Sequence, residues 1–124
     1  MDDIFFKAKF TTSYEEDGVL TVAFSDSEKP DPENYIILQR AIPEDPDDYF
    51  FEINSRELSG EGGFFSAELN ENELKIIFSE KLKEYSEKNG IIINISECKE
   101  LVHSGISNAL DLIFQLSDCK YMHR

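Results

Sequence analysis

The 124-residue chain carries 26 acidic residues against 12 basic ones, a formal net charge of −14, and 40% of it is hydrophobic, with ten Phe, five Tyr and no Trp. A chain of this size makes one domain and buries about two-thirds of its unfolded surface, enough for a core without staples. The charge excludes direct binding to nucleic acid or anionic membranes, which needs clustered Lys and Arg, and favours encounter with cations or basic proteins.

The start, "MDDIFFKAKF", is acidic where a secretory signal would be basic, and Lys7 and Lys9 break its apolar run. No segment reaches the length of a membrane span. Cys98 and Cys119 are too few for a disulfide framework. A cytoplasmic protein with free thiols is therefore expected.

Alternation in "IFFKAKFT" puts Phe6, Ala8 and Phe10 on one face of a first strand, with Lys7 and Lys9 on the other. After a turn in "YEEDG", Leu20, Val22 and Phe24 alternate in "GVLTVAF". An acidic, proline-bearing loop, "DSEKPDPEN", then leads into the strand "YIILQR", and a second, "EDPDD", leads into "YFFEIN". "SGEGGFF" reads as a tight turn or bulge feeding "GFFSAEL", which "NEN" joins to "ELKIIF". Short connections of this kind predict mostly antiparallel neighbours.

The period then changes. Ser79 is placed to cap a helix in "SEKLKEYSEKNG", with Leu82 and Tyr85 on one face and a stop at Asn89-Gly90. "IIINIS" is a further strand with Ile91, Ile93 and Ile95 on the core side. Ser96 is placed to cap a last helix, with Val102, Ile106, Ala109, Leu110, Ile113 and Phe114 as its apolar stripe. Gly105 inside that helix predicts close packing or a kink. The tail "SDCKYMHR" is expected to be less ordered. The fold class that follows is α+β in a single domain, residues 1–124. It should be a mainly antiparallel sheet of about six to seven strands, with a short helix and a C-terminal helix packed on it.

Chemistry is sparse. The only histidines are His103 and His123; Cys98 precedes His103 by a spacing that does not share a helical face, so a Cys-His nucleophile is disfavoured against a buried thiol. Cys98, His103, Cys119 and His123 match zinc-ligand spacing only loosely. The acidic loops lack the glycine turn and bidentate Glu of an EF-hand, although hard cations accept irregular oxygen sets. "SGEGG" has no following Lys-Ser or Lys-Thr, and Glu61 would repel a phosphate. Paired carboxylates say little in so acidic a chain. No catalytic, metal or cofactor residue is assigned, and a binding protein is expected.

Taken in order, "DGVLTVAFSDS", "ENYIILQRA", "YFFEIN", "SGEGGFFSAEL", "NELKIIFSEKL" and "ISNALDLIFQ" resemble the immunity protein 10 family of bacterial polymorphic toxin and contact-dependent inhibition systems. The resemblance spans Gly18 to Gln115. It rests mainly on Phe24-Ser25-Asp26-Ser27, Leu38-Gln39-Arg40, Glu52-Ile53-Asn54, and Gly60 with Gly62-Gly63. It departs from the pattern between Asp26 and Tyr35, which is richer in Pro and charge. The resemblance implies an antitoxin that holds the toxic C-terminal domain of a cognate protein inactive in the cytoplasm. Such toxins are often nucleases. It implies no catalytic residue, metal or cofactor.

Charge points the same way. A nuclease cleft is lined by Lys and Arg, and an acidic surface can occupy it as a phosphate mimic. The residues expected to face such a partner are Asp26, Glu28, Asp31, Glu33, Glu44, Asp45, Asp47 and Asp48, with Tyr35 and Tyr49 as aromatic anchors. The expected partner is a basic toxin domain; nucleic acid, membrane and small-molecule substrate are not expected. The alternative is a small acidic domain that binds a divalent cation, or an enzyme, using the same loops.

Overall fold

The computed structural model describes residues 1–42, 48–98 and 103–124, without the side chains of His103 and Ser104. Its class is α+β, and its described elements are ten strands and two helices. The strands form two sheets of five, where the sequence predicts about six to seven strands and does not fix whether they make one sheet or a sandwich. Sheet B takes β2 (Phe10–Glu16), β3 (Val19–Ser25), β4 (Tyr35–Ala41), β5 (Phe50–Ile53) and β6 (Ser55–Glu61) in chain order, all antiparallel. Sheet A has the order β1 (Asp2–Lys7), β9 (Lys88–Asn94), β8 (Glu73–Phe78), β7 (Phe64–Leu69), β10 (Lys120–His123). Its two edges pair in parallel, β1 with β9 and β10 with β7.

The division begins at the N-terminus. The stretch expected to be one strand is two, and the chain crosses from sheet A to sheet B at Ala8 and Lys9. There the Ala8 N–H donates to Asn94 O, while the Lys9 N–H donates to Ser25 O. Phe6 and Ala8 are buried as expected, but Phe10, moved to the other sheet, is 37% exposed. Strand β6 was not foreseen, because its polar run "SRELSGE" shows no alternation.

One core joins the inner faces of both sheets. Leu20, Val22 and Phe24 of β3 and Ile36 and Leu38 of β4 share it with Leu74, Ile76, Ile91 and Ile93. Phe64 lies within a cluster of rings, 4.9 Å from Phe51, 5.3 Å from Tyr49 and 5.7 Å from Phe78 between centroids. Helix α2 (His103–Phe114) contributes Ile106, Ala109, Leu110, Ile113 and Phe114, the stripe its sequence predicts, while Val102 lies outside the described residues. The carbonyls at its C-terminal end are met by Arg40, buried on the inner face of β4. The Arg40 guanidinium donates to the Ile113 carbonyl at 2.9 Å and to the Gln115 carbonyl. A cation there also complements the negative end of the helix dipole.

Helix α1 (Glu80–Ser86) starts as expected, with the Ser79 hydroxyl accepting from the Leu82 N–H. It ends earlier than expected, at Glu87 in the left-handed region, and Asn89 and Gly90 belong to β9. Gly90 serves close strand approach: a Cβ there would lie 2.0 Å from the Ile76 carbonyl oxygen. Gly62 and Gly63 do form the turn into β7, with φ of +64° and +100°. Close packing is not the reason for Gly105, since a Cβ there would meet nothing within 4 Å. Ser96 donates to Asn94 Oδ1 through both its N–H and its hydroxyl, in the turn after β9. The tail is ordered as β10, and Cys119 beside it is buried.

Candidate partner-binding face

Sheet B turns one face to the core and the other outward. Asp17 and Gly18, both at positive φ, make the tight turn that pairs β2 with β3 residue by residue from Phe10↔Ser25 to Glu16↔Val19. The register then carries two rows across the outer face. One runs Phe10, Ser25, Tyr35, and the other Tyr14, Thr21, Gln39, Phe50, Glu61. Gln39 Nε2 donates to Thr21 Oγ1 at 3.1 Å, which satisfies a hydroxyl that is nearly buried there.

The loop between β3 and β4 stands beside this face and is closed by its own polar groups. Asn34 Nδ2 donates to Asp26 Oδ2 at 2.9 Å, and the Asp26 N–H to the Asn34 carbonyl at 3.1 Å. The Ser25 hydroxyl donates to the Ser27 carbonyl at 2.9 Å, and Ser27 Oγ accepts from the Lys29 N–H at 3.1 Å. Asn54, at φ +60° between β5 and β6, exchanges bonds with Tyr35: its Oδ1 accepts from the Tyr35 N–H at 2.8 Å, and its N–H donates to the Tyr35 carbonyl at 3.1 Å. Asn tolerates that left-handed conformation better than most residues.

Between loop and sheet lies an open cleft of about 670 Å³. Ala23 and Ile37 form its floor, Tyr35, Glu52, Asn54 and Arg56 one side, and Glu28, Lys29 and Asp31 the lip. The Tyr35 hydroxyl donates to Glu52 Oε2 at 2.5 Å. Partial burial first, then the bond to Glu52 and its charge, push the Tyr35 phenol up to about 12, against a smaller opposing pull from Arg56. Tyr35 is thus a neutral donor that fixes one carboxylate oxygen and leaves an acidic group at the cleft wall. The lining holds three carboxylates, Glu28, Asp31 and Glu52, against Lys29 and Arg56. Glu33 beside the loop adds a further exposed carboxylate, whereas Glu16 and Glu61 lie away from the cleft, in register with Val19 and Phe50.

The ten residues expected to face a partner separate. Glu28, Asp31 and Glu33 are exposed, and Tyr35 borders the cleft with them. Asp26 is half-buried and spends one oxygen on Asn34, while its Oδ1 is buried without a hydrogen bond, so it shapes the loop from within. Asp48 is exposed at the other junction, and its Oδ1 accepts from the Tyr49 N–H at 3.0 Å. Glu44, Asp45 and Asp47 lie outside the described residues. Tyr49 corrects the sequence reading. It is 1% exposed, packed against Phe64 and Phe114, and its hydroxyl accepts from the Phe64 N–H at 2.8 Å, so it anchors the core rather than a partner.

Four residues of this face were not singled out as partner-facing: Phe10, Tyr14, Phe50 and Glu52. The Asp17-Gly18 pair was the available signal, since a two-residue turn counts outward to the register that exposes Phe10 and Tyr14. Of the groups considered for metal or nucleophilic chemistry, the His103 side chain lies outside the described residues. Cys98 is buried with its thiol toward the Ala8 carbonyl at 3.6 Å, and His123 is exposed on β10. Burial and the nearby Asp48 push the Cys119 thiol up to about 12. Among the described residues no three His, Cys, Asp or Glu side chains gather as a metal site, and no helix is long and apolar enough to cross a membrane. No protein-family model matches the chain, and no curated protein matches it in sequence.

Proposed function

We propose that this protein is an immunity protein, a cytoplasmic antitoxin that binds and neutralises the toxic C-terminal domain of a polymorphic or contact-dependent inhibition toxin. The outer face of sheet B is the surface that grips the toxin, and a basic, nuclease-type domain is the partner it suits. The observation that carries this reading is the acid-lipped cleft on an aromatic sheet face, with Glu28, Asp31 and Glu52 beside Tyr35. Two of the motifs behind the family resemblance, Phe24 to Ser27 and Glu52 to Asn54, meet at this cleft.

The physics favours such a use. Exposed aromatics supply contact area at low entropic cost and dominate binding energy where they become dry. Carboxylates around them steer a cationic partner, raising association toward ~10⁸ M⁻¹s⁻¹ at low salt. The loop is pre-shaped by Pro30, Pro32 and its own hydrogen bonds, which lowers the ordering cost of binding. The reading assigns the chain no reaction and no cofactor.

The test is protection. The basic C-terminal domain encoded by the neighbouring reading frame is expressed with this chain, and survival and complex formation are scored. Wild type should protect. Reversing Glu28, Asp31 and Glu33 to Lys should weaken binding by at least about 100-fold, given about 1 kcal/mol or more per charge pair at an interface. Protection and affinity untouched by changes across the whole outer face of sheet B would sink the proposal. So would a melting temperature raised several degrees by sub-millimolar calcium or magnesium in a chain that binds no toxin, which would favour the cation-binding alternative.

A further inference from the structure

Sheet A also turns a face outward, and its chemistry differs from that of sheet B. In register across its five strands one row runs Phe5, Ile92, Lys75, Glu68, Met122. Phe5 is 61% exposed, Met122 41%, and Phe65, at the bulge of β7, 54%. Ile77 and Ile92 between them are half-buried. This apolar field is laced with both signs of charge. Lys7, Lys75, Lys120 and Arg124 are its cations, and Asp3, Glu68 and Glu73 its carboxylates. Arg124 Nε lies 2.5 Å from Glu68, and Lys120 Nζ lies 5.6 Å from the centre of the Phe65 ring. Four cations against three carboxylates leave the face one charge positive, in a chain whose total is −14.

We propose that this face is the contact surface for a second copy of the same chain, packed sheet against sheet about a two-fold axis. A two-fold contact requires a surface that complements itself. A face with apolar residues and both signs of charge meets that condition, whereas two uniformly acidic faces would repel. The rest of the molecule carries the excess negative charge, so like-charged copies approach with least repulsion here. A basic partner is disfavoured at the same place by Lys7, Lys75, Lys120 and Arg124. Five strands about 4.8 Å apart and about 20 Å long present roughly 500 Å² in flat projection. That is below the ~800 Å² per partner of a standard interface and suits a weak, reversible dimer. The dimer would leave both sheet B faces pointing outward, free for other contacts.

Sedimentation equilibrium of the full chain in 0.15 M salt is the test, and it does not depend on any toxin. A reversible dimer is expected in the micromolar range. Phe5→Glu with Met122→Glu should raise its dissociation constant at least about 30-fold. Lys75→Glu with Lys120→Glu, which turns the face acidic without touching its apolar groups, should raise it at least about tenfold, and high salt should recover part of that loss. Phe10→Glu with Tyr14→Glu, on sheet B, should leave it unchanged. Each variant is first shown to melt cooperatively. A chain that stays monomeric to several hundred micromolar, or a dimer broken by the sheet B pair and indifferent to both sheet A pairs, would overturn the proposal.

Discussion

Tyr35 and Tyr49 each follow an acidic stretch containing proline, and each leads a hydrophobic strand, yet the fold puts them to opposite uses. Tyr35 sits in register with Ser25 on the outer face of sheet B and donates its hydroxyl to Glu52 at the cleft. Tyr49 lies in the core, its ring against Phe64 and Phe114, its hydroxyl accepting from a backbone N–H. The difference is one of parity. Tyr35 opens β4, where the inward positions are Ile36 and Leu38, so it must point outward. Tyr49 precedes β5, where Phe51 and Ile53 point inward, and it therefore shares their side. Charge nearby does not decide which surface an aromatic residue serves; its place in the two-residue alternation does.

The largest test of this contrast is Tyr49→Ala, expected to lose about 3–5 kcal/mol by opening a cavity among the rings, read from urea denaturation. Tyr49→Phe keeps the ring but leaves the Phe64 N–H buried and unpaired, at a cost of about 1–3 kcal/mol. Tyr35→Phe, at a partly exposed bond, should cost about 1 kcal/mol or less while weakening capture of a basic partner. Equal destabilisation by the two Tyr→Phe changes would erase the contrast.

Titration sharpens it further. Tyr35 is pushed from 10.0 up to about 12, and burial raises Tyr49 further still. A phenol whose folded pKa is raised adds stability that is whole below the unfolded value and is lost as pH climbs through the folded one, because the unfolded chain releases its proton first. Stability should therefore fall from pH 10 toward pH 12, and Tyr35→Phe should remove part of that slope. Ultraviolet titration should show Tyr35 ionising before Tyr49. The smallest effect, and a reference lying outside both junctions, is Gly105→Ala. With open space around the added methyl it should stabilise the protein by about 0.5–1 kcal/mol.

Much of the secondary structure was legible because alternation in "GVLTVAF", "YIILQR" and "ELKIIF" has a single physical reading: one face buried, one not. The stripe of α2 was legible for the corresponding helical reason. The division into two sheets was not, because alternation tells which side of a strand is apolar and not which sheet the strand joins. "IFFKAKFT" keeps perfect parity across the crossing at Ala8 and Lys9, so nothing in it marks the break. Strand β6 and the ordered tail escaped because edge strands are held by backbone hydrogen bonds that polar residues make as well as apolar ones. At the candidate site, Glu28, Asp31, Glu33 and Tyr35 could be named from charge and loop position. Phe10 and Tyr14 needed the register, which counting outward from Asp17-Gly18 would have supplied.

The parallel edges of sheet A have a consequence for how the molecule is made. Sheet B is a run of neighbours, complete once Glu61 has emerged from the ribosome. Asp2 must wait for Lys88, and Lys120 must return to Ser66. Contacts so distant along the chain form slowly. The nascent protein therefore passes part of its synthesis with the greasy side of a finished meander uncovered, until β7, β8 and β9 follow. The two outer edges of their sheet are the last to close.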